Sequence, residues 1–114
     1  MDELPIVQKA RDLIKWYVPL LNRLPRDHKF MLGDRLIANL YELHEGLIRA
    51  RYDKAQRIER LEHLNGTLDV LRHRTRPLLD FNLISAKRYQ HAAKLINEVG
   101  VELGGWLKQQ RRRK

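Results

Sequence analysis

Apolar residues recur along this chain in steps of three and four, the spacing of one face of an α-helix. Ala10, Leu13, Tyr17, Leu20 and Leu24 form a first seam. Gly33, Leu36, Leu40, Leu43, Leu47 and Ala50 form a second, and Leu61, Leu64, Leu68, Leu71, Thr75 and Leu78 a third. Tyr89, Ala92, Ile96, Val99, Leu103 and Trp106 form the fourth. No stretch alternates residue by residue as a half-buried strand would. The pattern predicts helices over about 4–24, 27–51, 54–79 and 85–109, joined by short links. Short links between helices of similar length require antiparallel neighbours, hence an all-α, up-down-up-down four-helix bundle. It occupies 1–110 as one domain and leaves 111–114 as a basic tail.

Punctuation refines these limits. Leu24-Pro25 ends the first helix, and Pro19 inside it removes a backbone donor and predicts a kink. Asn65-Gly66 is ordinarily a turn signal, but the third seam keeps its phase across it. A single helix with a glycine cost of about 1 kcal/mol is therefore expected. Pro77 either bends or terminates the last turn of that helix, and Ser85 is suited to cap the fourth.

Two apolar features lie outside the seams. Helix two carries a second column of Ile37, Tyr41, His44 and Ile48, wider than one packed face needs. Either that helix is very central or the column meets another subunit. Helix four carries Ala86, Ala93 and Gly100 every seven residues, small enough for another helix to come close. Ile37, Tyr41, His44, Ile48, Ala93 and Gly100 are thus candidates for an oligomer interface.

At 114 residues the chain can bury a core without cross-links, and it has no cysteine. Its start is acidic rather than basic-then-apolar, unlike a signal peptide, and no apolar run approaches the roughly 20 residues that span a bilayer. These features point to the cytoplasm. Gly100 and Gly104 match a membrane-dimer spacing, but Glu102 between them argues against it. Catalytic and metal signatures are missing. His44-Glu45 begins like a zinc-protease motif, yet Ile48 stands where its second histidine belongs. The five histidines have no cysteine partners and no metal-site spacing. No enzyme activity, cofactor or metal is expected.

Charge changes the picture most. Residues 1–53 carry nine Lys or Arg against eight Asp or Glu, whereas residues 54–114 carry fourteen against six. The isoelectric point is near 10.3. Lys87, Lys94 and Lys108 fall on the side of helix four opposite its seam, with Arg88 beside them. Helix three adds Arg60 and Arg74 on one shoulder of its seam, Arg72 on the other and Arg76 further round. Such placed cations suit a nucleic-acid backbone, held in a salt-sensitive manner with little regard for sequence. No base-reading module accompanies them.

Two stretches carry a resemblance. Arg23-Leu24-Pro25-Arg26-Asp27-His28-Lys29-Phe30 with Leu32-Gly33-Asp34-Arg35-Leu36 resembles the junction of the first two helices in the accessory variability determinant (Avd) proteins of diversity-generating retroelements. Leu83-Ile84-Ser85, Asn97-Glu98-Val99-Gly100 and Leu103-Gly104-Gly105-Trp106-Leu107-Lys108 resemble that family's final helix. The family is related in fold to the four-helix proteins encoded in ribosomal RNA intervening sequences. Those proteins usually carry an asparagine and a Glu-Gly pair in helix two, echoed only loosely by Asn39 and Glu45-Gly46.

The resemblance implies a homopentameric barrel that binds RNA and DNA, associates with the retroelement's reverse transcriptase and supports mutagenic retrohoming without catalysing synthesis. The basic residues named above rest on the helical-face argument, not on a family motif. The alternatives are a protein of the ribosomal intervening-sequence type and a protein-binding helical adaptor.

Overall fold

The computed structural model describes residues 3–113. Helix α1 spans Pro5–Asn22. A single turn, α2 (Arg26–His28), a π-helical stretch (Lys29–Gly33) and α3 (Asp34–Tyr52) follow one another without a gap and form the second rod. Helices α4 (Arg57–Asp80) and α5 (Ala86–Arg112) are the third and fourth. No strand occurs among the described residues. α1 packs against α3 and α5, and α4 packs against the same two, so the four rods close into an all-α bundle of 47 × 24 × 22 Å.

The seams make the core. Every member of the second and third is buried. In the first, Leu21 replaces Leu20 as the buried residue, and in the fourth Leu107 lies deeper than Trp106. Both differences follow from helical geometry: at 3.6 residues per turn the steps from Tyr17 to Leu21 and from Leu103 to Leu107 return closer to the buried line than steps of three. Asn39, which no hydrophobic pattern marks, is also buried. Its Nδ2 donates to the Thr67 carbonyl at 3.0 Å, and its Oδ1 accepts from Arg74 Nη1 at 3.1 Å. α3 and α4 are pinned together there.

The helix ends show their causes. Pro5 opens α1, where a missing N–H costs nothing. α1 continues through Pro19, and α4 continues through both Asn65-Gly66 and Pro77. Pro77 therefore does not terminate its helix. The stop comes at Phe81, followed by Asn82 in the left-handed region (φ 57). Leu83 N–H then donates to the Leu78 carbonyl at 2.8 Å and Asn82 N–H to that of Leu79 at 3.0 Å, the Schellman pattern that satisfies a helix's last carbonyls. Ser85 Oγ accepts from Arg88 N–H at 3.1 Å, so the serine caps α5 as its position foretells.

Three features were not legible in the repeat. The π-helical stretch, closed by the Asp34 N–H on the Lys29 carbonyl, adds one residue to a turn without disturbing the spacing from Gly33 to Leu36. α5 extends through Arg112, so Arg111 and Arg112 are helical rather than part of a loose tail, while Lys114 lies outside the described residues. Gly46 brings α3 very close to α4: a Cβ there would sit 2.4 Å from a Leu64 methyl. No helix among the described residues is long and apolar enough to cross a membrane.

Candidate nucleic-acid interface

The bundle sorts the basic side chains into two kinds. Those of α4 are engaged. Arg60 Nε lies 2.8 Å from Asp53 Oδ2, and this contact, together with the Gln56 N–H on Oδ1, holds the Asp53 carboxyl below its ordinary pKa. Arg72 reaches Asp69 at 3.7 Å and lies over Gly100 of α5. Arg74 turns the other way, to Asn39 on α3. Arg76 Nε donates to Asp80 at 2.9 Å and its guanidinium covers the Tyr89 ring, 5.8 Å from the centroid. The Asp80 contact also raises the pKa of Arg76. The three arginines around His73 thus diverge instead of forming one cluster, because a 100° step per residue points Arg74 away from Arg72 and Arg76.

Those on the outer face of α5 differ, while Arg111 near its end is paired. Lys87, Arg88, Lys94 and Lys108 are exposed, and none has a carboxylate partner among the described residues. Lys87, Lys94 and Lys108 keep to the outer face, since the buried line of Ala92, Ile96, Val99, Leu103 and Leu107 takes the inner one. The exposed ion pairs on α4 contribute little and are open to exchange for a phosphate; these α5 cations need no exchange at all.

Some basic residues serve the fold, and the spacing of charges does not distinguish them. Arg57 Nε donates to the Ala50 carbonyl at 2.8 Å and its Nη2 to the Arg51 carbonyl at 2.6 Å, closing the end of α3. Its guanidinium also lies 5.9 Å from the Trp106 ring centroid. Arg111 Nη2 pairs with Glu62 at 2.9 Å. Lys9 approaches Glu102 at 3.4 Å, joining α1 to α5. In contrast Arg23, absent from the helical-face argument, converges with Arg88 on one groove between α1 and α5. Antiparallel packing of first and last helices was the signal that could have paired them.

The apolar column of α3 stands on the shoulder of the bundle. Ile37 and His44 are half-buried, whereas Tyr41 and Ile48 are 43% and 37% exposed. The core of the single chain therefore does not fully absorb this column. Burial, then the Arg11 charge, lowers the His44 pKa. On α5, Ala93 is exposed, but the space above Gly100 is filled from within the chain: a Cβ there would meet Arg72 Nη2 at 2.9 Å and Leu68 at 3.4 Å. The small residue at 100 admits α4 of the same chain.

Among the described residues no group of three His, Asp or Glu is placed to hold a metal ion. A family model described as bAvd-like matches residues 4–110. No curated protein matches the chain.

Proposed function

The chain belongs to the bAvd-like family, and from that footing we propose that it is a non-enzymatic accessory protein of a diversity-generating retroelement. It binds RNA and DNA, associates with the element's reverse transcriptase and supports mutagenic retrohoming. The observation that carries this reading is the family match, together with a face of α5 whose lysines have no carboxylate partner among the described residues. Cations left unpaired at a net charge of +9 attract polyanions by releasing their counterions.

The same reading includes self-association, with a homopentamer as the assembly. Tyr41 and Ile48 supply exposed apolar surface on one face of α3, beside the half-buried Ile37 and His44. Repeating the α5 stripe around a ring would raise the effective concentration of weak sites and turn modest contacts into a firm grip.

The test pairs two measurements on the purified chain. Anisotropy titrations with labelled RNA and DNA are expected to show affinity that falls linearly with the logarithm of salt. Co-expression with the reverse transcriptase of a diversity-generating retroelement from the same source is expected to give a complex that survives size exclusion. Salt-independent binding, or none, together with no such complex, overturns the reading.

A further inference from the structure

At the end of the bundle where α1 finishes and α5 begins, a groove of about 270 Å³ opens between the two helices. Arg23 and Arg88 stand on its walls, above Trp16, Leu20, Pro25 and Leu83. Both arginines are exposed, and neither has a carboxylate partner among the described residues. The His91 ring lies against Trp16 at 5.4 Å between centroids. At the same end, Phe81 is 61% exposed with the His28 ring 5.4 Å away, and Phe30 of the π-helical stretch is 59% exposed. The two corner segments, 23–35 and 76–88, hold seven Lys or Arg against three Asp.

This composition differs from that of the α5 stripe. A row of lysines meets phosphates and nothing else. Exposed flat rings at the same end of the bundle as guanidiniums can meet bases while the guanidiniums meet phosphates, and only an unstacked, single-stranded nucleotide presents both. Large aromatic faces left in water at a basic corner are costly for a protomer that has no use for them.

We infer that the end of the bundle centred on the Arg23–Arg88 groove is a site for unpaired nucleotides of single-stranded nucleic acid. The guanidiniums take the phosphates, and the exposed rings of Phe81 and Phe30 take bases. The inference rests on the nucleic-acid role proposed above and narrows it from backbone attraction to a preference for strand form. Because stacking is tolerant of base identity, the site is indifferent to sequence.

The experiment compares a labelled uridine oligonucleotide, its abasic counterpart and an RNA duplex of equal length, by anisotropy at fixed salt. The doubly substituted Arg23→Gln, Arg88→Gln chain is expected to lose about tenfold in single-strand affinity but less than about threefold for duplex. The abasic strand is expected to bind the unaltered chain several-fold more weakly than its parent, and Phe81→Ala to shrink that gap. Melting followed by circular dichroism checks that these surface variants fold. Equal losses for both forms, or an abasic strand that binds as well as its parent, overturn the site. Unmoved single-strand affinity in the double variant also overturns it and leaves this end to a protein partner. If the unaltered chain binds neither form, the broader nucleic-acid role fails with it.

Discussion

Tyr17 on α1 and Thr75 on α4 meet at 2.7 Å between their hydroxyl oxygens, across the diagonal of the bundle and out of reach of water. Thr75 Oγ1 also lies 2.7 Å from the Leu71 carbonyl, which can only accept. The threonine's one proton is therefore committed to its own helix, and Tyr17 is the donor across the core.

Tyr17→Phe is expected to cost about 1 kcal/mol at neutral pH, the net worth of such a bond. Burial pushes the Tyr17 pKa up to about 12, against a smaller lowering by its bond to Thr75. The unfolded chain ionises this phenol near its ordinary pKa of 10.0. Stability from this group is therefore complete below about pH 10 and is lost as pH rises towards about 12. Since phenylalanine lacks that loss, the deficit of Tyr17→Phe should shrink to near zero around pH 11. Urea unfolding at the two pH values measures it, and a constant deficit contradicts the assignment.

Gly46→Ala is expected to destabilise by about 1–3 kcal/mol, because the new methyl overlaps the buried Leu64 side chain. Shortening Leu64 to Ala opens the space it needs. A double-mutant cycle should show the pair costing clearly less than the sum of its parts. Additivity would mean that the helices simply move apart.

Arg57→Ala should lower stability by about 1–3 kcal/mol by freeing the Ala50 and Arg51 carbonyls at the end of α3. Arg57→Lys should recover little, since one ammonium cannot reproduce the fork that reaches both. Thermal melting of the two variants decides this, and full recovery by lysine would reduce Arg57 to a point charge.

Replacing Lys87, Lys94 and Lys108 with Ala together should leave the melting temperature nearly unchanged. It should also lower the slope of log affinity against log salt for duplex by up to about 2–3. Replacing Arg72, Arg74 and Arg76 together should weaken RNA binding too, but with a loss of stability, because Arg74 serves the buried Asn39. An unchanged salt slope in the lysine variant rejects the α5 face as a backbone contact.

Light scattering on the unaltered chain should give a multiple of 13.6 kDa, five-fold for the proposed assembly. Tyr41→Asp with Ile48→Asp should reduce it to a single copy while helicity persists, since both side chains are substantially exposed. A monomeric parent removes the interface.

How far the site could be read beforehand depended on what kind of fact was needed. The outward direction of Lys87, Lys94 and Lys108 follows from helical spacing alone, so it was legible before any fold was known. The fate of Arg57, Arg72 and Arg74 was not, because each is decided by an atom on another helix. Gly100 shows the same limit: a small residue announces close approach, but only packing reveals that α4 of its own chain fills the space.

Periodicity in Leu, Ile and Val was sufficient to specify four rods and their buried lines, since the 3.6-residue turn and the aversion of hydrocarbon to water act locally along each helix. Which cations found carboxylates, and the convergence of Arg23 with Arg88, were settled only when the rods packed. Those relations join residues tens of positions apart, and no repeat within a single helix encodes a distance between two of them.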